Sequence, residues 1–454
     1  MIKNMTEGSP FKILCNFSIP MLLSMVFQQL YNIVDSVVAG KFIGVDALAA
    51  IGASYPITIL FIAVANGASI GSSVVVSQTF GAGKLVKMKS TVSTSIIAIT
   101  VVSIILTILG YVFCTDIMQM INTPENIFAD SRLYLKVYIL GIIFLFIYNG
   151  ATAIFTGLGD SKTPLYFLIF SSLLNIILDV WFVTKFNMGI SGIAWATFLA
   201  QGLSSILAVS FLFYRLNKIK VDKKVPLFNK QMFKLICRIA VPSIFQQSFV
   251  SVGQVCVQGL INSFGSSVVA GYAAAFKIST FVLIILCTLA NAFSSFVAQN
   301  MGAGKMERVK EGFKVIMIMT QGFSLICIFI IFKYGTSLLG IFVDIEKDME
   351  IVEIGLKFIQ TVAPFYLLVT VKIVADSVLR GAGDMNEFMS TTFADLLLRV
   401  LFSFVLVAKI GYVGIYWAFP IGWFIGTVLS VYYYYKGKWK GTALISVNKK
   451  RAII

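Results

Sequence analysis

Gln78-Thr79-Phe80-Gly81-Ala82-Gly83-Lys84 returns later in the chain as Gln299-Asn300-Met301-Gly302-Ala303-Gly304-Lys305. Gly157-Leu158-Gly159-Asp160 returns as Gly381-Ala382-Gly383-Asp384, and Gly189-Ile190-Ser191-Gly192-Ile193-Ala194-Trp195-Ala196 as Gly411-Tyr412-Val413-Gly414-Ile415-Tyr416-Trp417-Ala418. The order is kept and the offset is about 222 residues each time, so a whole half of the chain is duplicated. Around these landmarks, 58% hydrophobic and 12% charged residues over 454 positions leave too little polar surface for a water-soluble globule. In an apolar chain such a duplication is the arrangement of transporters whose two lobes enclose one substrate path.

Apolar runs between charges give twelve spans, near 13–40, 50–80, 90–115, 132–157, 163–184, 188–214, 235–262, 268–299, 315–335, 354–379, 389–408 and 412–435. Each can cross roughly 30 Å of hydrocarbon as a helix, whereas barrel strands would be about ten residues long with alternating polarity. The expected fold is an all-α membrane protein of twelve transmembrane helices in two six-helix lobes. An even number of spans per half sends both halves into the bilayer in the same direction, so their pseudo-twofold axis runs along the membrane normal. The segment 217–230, with Pro226 and its lysines, is the lobe boundary the sequence offers, leaving lobes 1–216 and 231–454.

The net charge of +16 is distributed in the gaps between spans rather than gathered on a soluble domain, which argues for membrane topology and against nucleic acid. Lys84, Lys87 and Lys89, the linker lysines, Lys305, Arg308 and Lys310, and Lys436 to Arg451 all fall on one side; Asp116, Glu125, Asp130, Asp344, Glu346, Asp348 and Glu350 fall on the other. The excess of Lys and Arg makes the first side cytoplasmic, with both termini on it and the chain in the cell membrane. The first apolar segment is long enough to span and lacks a cleavage site, so it reads as mature sequence. Six scattered cysteines show no metal-ligand spacing. With no histidine in the chain, proton chemistry must use carboxylates.

The Gly-x-Gly-Lys repeats are not nucleotide cradles. A phosphate loop needs Gly separated by four residues from its Gly-Lys and Ser or Thr after it, but Gln78 and Leu85, or Gln299 and Met306, stand there. Their glycines read as helix ends with a positive-inside lysine. Gly157-Leu158-Gly159-Asp160 also resembles an intramembrane aspartyl protease motif, but its aspartate falls at a cytoplasmic turn, where a solvated carboxylate is cheap.

Ionisable groups inside spans are costly and point to function. Asp35 lies about six residues from the outer end of span one and Asp179 about five from that of span five, which puts both roughly 8–10 Å deep. Asn175, four residues before Asp179, shares its helix face; Thr197 enters from span six, and Asn149 on span four sits deeper. Carboxylate, amide and hydroxyl oxygens are hard ligands, so Asp35, Asn175, Asp179 and Thr197 are candidate Na⁺ ligands, and two close carboxylates also hold a proton. The bland alternative is that these groups hydrogen-bond between helices. In the second half Asn175 aligns with Arg399 and Asp179 with Ser403, and the charges come as Lys372 with Asp376 and Asp395 with Arg399, both at i,i+4, where mutual neutralisation is the default. This polar network reads as structural. Lys277 has no evident local partner.

Pro20, Gln28, Tyr31-Asn32-Ile33-Val34-Asp35, Gly157-Leu158-Gly159-Asp160 and Asn175-Ile176-Ile177-Leu178-Asp179 closely resemble the multidrug and toxic compound extrusion (MATE) family, over nearly the whole chain. The resemblance implies a secondary active exporter of amphipathic, often cationic organic compounds in exchange for Na⁺ or H⁺. It implies cation coupling at Asp35, Asn149, Asn175, Asp179 and Thr197, and a bending helix at Pro20. Another bacterial branch of the family uses second-lobe acids on spans seven and ten; span seven here offers none. Small organic substrates and membrane lipid are the expected partners of a monomer with no enzymatic activity, no nucleotide and no cofactor beyond the coupling ion. The rival within the related superfamily is a lipid-linked oligosaccharide flippase, which would want a cation-lined cavity for pyrophosphate.

Overall fold

The computed structural model describes residues 3–445 and 447, with the side chain of Asp35 outside the described set. Lys449, Lys450 and Arg451, counted above for orientation, also lie outside it. The described residues contain helices and turns and no strand. The helices are α1 (Pro10–Val38), α2 (Val45–Gly81), α3 (Leu85–Val112), α4 (Cys114–Met120), α5 (Glu125–Gly157), α6 (Lys162–Thr184), α7 (Ile190–Asn217), α8 (Lys230–Asn262), α9 (Ser266–Gly302), α10 (Met306–Leu339), α11 (Met349–Val362), α12 (Tyr366–Ala382), α13 (Met385–Ile410) and α14 (Val413–Lys436).

All twelve expected spans are present. Eleven stretches among the described residues are long and apolar enough to cross a membrane, α11 and α12 counting as one. The 26-residue α13 makes the twelfth. Three local features were not foreseen: the short α4, a π-helical extension of α1 over Ala39–Ile43, and a 3-10 step at Ala363–Phe365 that divides the tenth span. Pro364 supplies the last, since it has no N–H to continue the α-helical ladder. Pro20 lies inside α1 and Pro242 inside α8, so each half opens with a proline-bearing helix at a matching position.

The packing is that of helices in hydrocarbon. Large apolar side chains face outward, among them Ile104, Ile105 and Ile108 of α3 and Phe329 and Phe332 of α10. Small and hydroxylated residues fill the interior, and their hydroxyls return to their own helix, as when Thr79 donates to Val75 C=O at 2.8 Å and Thr91 to Lys87 C=O at 2.7 Å. With no water to satisfy them, such groups are affordable only when bonded locally.

The chain divides into two compact units, Met1–Asn4 with Asn16–Phe245, and Met5–Cys15 with Gln246–Ile454. In the first, α5 runs in the middle and packs on α2, α3 and α7, and α6 lies against α7. In the second, Phe358, Tyr416 and Phe419 meet edge to face, with ring centroids 5.0 Å and 5.7 Å from Phe358.

The second Gly-x-Gly-Lys repeat does more than turn the chain. Gln299 Oε1 accepts the Met5 N–H at 2.9 Å, and Lys305 Nζ donates to the Thr6 carbonyl at 2.9 Å. The Gly-x-Gly-Asp carboxylates are not solvated, contrary to expectation: Asp160 is 1% and Asp384 5% exposed. Asp160 instead receives the Thr163 N–H at 3.1 Å and the Thr163 hydroxyl at 2.9 Å, holding the first turn of α6. Burial alone would raise its pKa, but hydrogen bonds, those of Thr163 among them, outweigh burial and lower it.

Candidate ion-coupling site

One face of α6 is buried for three turns. Asn175, Asp179 and Val183, spaced by four residues, are 1%, 0% and 7% exposed. Their neighbours on the opposite side, Leu173, Ile177 and Trp181, are exposed, so the polar positions point into the first unit and the bulky apolar ones away from it. The Asn175 side-chain amide donates to the Thr197 hydroxyl on α7 at 3.3 Å. One turn on, Asp179 is fully enclosed. At the end of this face Val183 joins Val38 and Val34 of α1 and Ile193 of α7 in one apolar cluster. The stretch of α1 that carries Asp35 therefore packs beside the α6 face that carries Asp179.

The structure thus joins Asn175 with Thr197, aligns Asp179 on the same face, and brings up the Asp35 segment of α1. Asn149 stands apart in its bonding: its amide donates to Leu145 C=O of its own helix at 2.8 Å, which leaves its carbonyl oxygen and its second N–H for other partners. Thr197 and Gln201 line a small pocket between α5 and α7 together with Tyr138 and Leu145. A carboxylate, an amide and a hydroxyl on this buried face are the donor types that suit a desolvated monovalent cation or a proton. No group of three or more His, Cys, Asp or Glu among the described residues forms a transition-metal site.

The matching region of the second unit has kept the scaffold and changed the chemistry. Where Asn175 faces Thr197 across α6 and α7, Arg399 of α13 lies over the Phe419 ring of α14, 4.9 Å from its centroid. Ser403, in the place of Asp179, donates to its own helix at Arg399 C=O, 2.8 Å away. Lys372 Nζ bonds Asp376 Oδ2 at 2.9 Å and Arg399 Nη2 bonds Asp395 Oδ1 at 2.7 Å, both i,i+4 pairs that the sequence suggested. The sequence did not suggest that the pairs are one network. Lys372 Nζ also approaches Asp395 Oδ2 at 3.7 Å, and Asp376 Oδ1 accepts hydroxyls from Thr391 at 2.9 Å and Ser430 at 2.6 Å.

Room for this network comes from α14. A Cβ on Gly426 would fall 2.5 Å from Lys372 Cε, and one on Gly422 would fall 2.6 Å from Asp395 Oδ1. The signal was in the sequence as Gly422-Trp423-Phe424-Ile425-Gly426, a spacing that lets a neighbouring helix approach closely. Lys277 is exposed and lies over the Phe342 ring at 5.4 Å.

Comparison with known proteins agrees with this architecture. The sequence model MatE matches residues 20–181 and 242–405, one stretch in each half. The chain is 28% identical over 445 residues to the probable multidrug resistance protein YoeA of Bacillus subtilis (strain 168), covering 96% of this chain and 95% of that protein. It is 22% identical over 418 residues to the multidrug export protein MepA of Staphylococcus aureus (strain MSSA476), with 91% of each covered. Among solved structures, a crystal structure of MATE in complex with MaL6 superposes with a TM-score of 0.89 at 22% identity, over 97% of this chain and 98% of that one. Matched in both of its halves, the chain belongs to the MatE family, whose members are membrane transporters rather than enzymes.

Proposed function

We propose that this chain is a secondary active multidrug exporter of the cell membrane, which moves amphipathic, often cationic organic compounds outward in exchange for entry of Na⁺ or H⁺. The names of its relatives support the export reading. The observation that carries the coupling site is the buried α6 face, where Asp179 is fully enclosed one turn from the Asn175–Thr197 contact. A carboxylate costs too much in such a place unless it has a role or a partner. Asp35, Asn175, Asp179 and Thr197 would present oxygen to a Na⁺, or the two acids would share a proton, and Asn149 would contribute its carbonyl oxygen. Binding neutralises the carboxylates and removes their need for water, and the proline of α1 gives that helix freedom to respond.

On this reading the segment 217–230 is the cytoplasmic linker between the two lobes along the chain, the protein works as a monomer surrounded by lipid, and both termini are cytoplasmic by the distribution of lysine and arginine. The flippase reading is disfavoured because the first-lobe groups are acidic and a pyrophosphate would be repelled. The test is transport in liposomes holding the purified protein, with Na⁺ and H⁺ gradients imposed one at a time. Export of a cationic dye driven by at least one gradient is expected; no response to either would overturn the reading.

A further inference from the structure

We propose that Lys372 is a tethered cation, permanently occupying a monovalent-cation site in the second unit and thereby keeping that unit out of ion exchange. The ammonium is 2.9 Å from one Asp376 oxygen and 3.7 Å from one Asp395 oxygen. The second Asp376 oxygen is held by the hydroxyls of Thr391 and Ser430. Lys372, Asp376 and Asp395 are 6%, 4% and 5% exposed, so the head group exchanges its water for protein oxygens. This is the environment a desolvated alkali cation requires: single positive charge balanced by carboxylate oxygens that are themselves oriented by hydroxyl donors.

A lysine lying by chance along a helix would not need the space this one is given. Its stem runs against Gly426, where even a methyl group would meet Lys372 Cε at 2.5 Å, and Gly422 lets Asp395 approach in the same way. The network is neutral as built, with Lys372 and Arg399 set against Asp376 and Asp395. Arg399 is committed to Asp395 at 2.7 Å, so the charge that balances Asp376 is that of Lys372. Removing the lysine side chain leaves one carboxylate unbalanced beside a vacated channel, a combination that draws in an external cation because an unpaired buried charge is costly. The inference concerns this site alone and does not depend on the export activity, since its readout is thermal.

The experiment compares purified proteins in detergent, all carrying Asp179→Asn to silence the first-unit face, in chloride salts of Na⁺, K⁺, NH₄⁺ or bulky N-methylglucamine at constant ionic strength. Lys372→Ala is expected to gain a saturable rise in Tm of about 3 °C or more with at least one of the three small cations, whereas the parent with Lys372 in place does not respond. Lys372→Ala combined with Asp376→Asn should lose that response, because the carboxylate left without its counter-ion is gone. A folded Lys372→Ala protein indifferent to all three cations would overturn the proposal. So would one that cannot be recovered folded in any of them, or a parent that responds as strongly as the variant.

Discussion

Asp395→Asn takes one carboxylate from a set that balances two cations against two anions. The four side chains, Lys372, Asp376, Asp395 and Arg399, are 7%, 6%, 7% and 15% exposed, so solvent screens none of them appreciably. The single change breaks the 2.7 Å bond to Arg399 and the 3.7 Å approach to Lys372, and leaves a net buried positive charge. Breaking a buried pair from one side costs about 3–5 kcal/mol. At roughly 2–4 °C per kcal/mol for a unit of this size, Tm should fall by about 6–20 °C. Asp395→Asn with Arg399→Gln removes one charge of each sign and leaves Lys372 paired with Asp376, so the double variant should return to within about 1 kcal/mol of the parent. Thermal unfolding followed by intrinsic fluorescence suits the measurement, because the Trp423 ring lies 5.9 Å from the Arg399 guanidinium. A single variant as stable as the parent, or a double variant no better than the single, would refute the pairing. A double variant that folds normally and loses ion dependence would move the coupling site into the second unit.

Three further outcomes follow from the packing and the turn chemistry. Asp160 has a pKa held below its ordinary value by hydrogen bonds that outweigh burial, so its contribution is fully present above the unfolded carboxylate range and is lost as pH falls through the folded value; Asp160→Asn should be less stable at pH 7 by about 1 kcal/mol and show a shallower loss of Tm below about pH 4. Gly426→Ala places a methyl group 2.5 Å from Lys372 Cε and should cost about 1–3 kcal/mol in thermal unfolding, whereas Gly259→Ala in α8, with nothing within 4 Å, should be neutral or slightly stabilising. Pro20→Ala restores a backbone donor inside α1, so spin-label distances along that helix should respond less to pH and Na⁺ than in the parent; an identical response would show that the proline is not what lets α1 bend.

The scaffold was legible because hydrocarbon imposes simple rules. Twelve apolar runs became twelve spans, with ends within one residue in the best case, 163–184 against Lys162–Thr184, and up to nine residues off in the worst, 315–335 against Met306–Leu339. Periodicity also placed Asn175 and Asp179 on one face, and both are buried there. What the sequence obscured lay in contacts between distant segments. Lys372 and Asp376 read as a local pair because the i,i+4 spacing is visible, but the link to Asp395 depends on how α12 meets α13. The part played by Ser430 depends on the third helix, α14. Asn149 keeps its place among the candidate ligands, but the bond from its amide to Leu145 C=O is a choice no residue pattern announces. The Gly-x-Gly-Asp carboxylates misled in the opposite direction: a turn suggests solvent, and only the fold shows them enclosed. Charge at the repeat was read as topology alone, although Lys305 also bonds the Thr6 carbonyl.

The central claim, that the α6 face of the first unit couples export to cation entry, is tested most directly by comparing two variants in the same liposome assay. Asp179→Asn should reconstitute as folded protein and lose gradient-driven dye export at least tenfold, while Asp395→Asn with Arg399→Gln, which disturbs an equally buried set of charges, should keep both export and its ion dependence. Export by Asp179→Asn at the parent rate with an unchanged ion requirement would contradict the account.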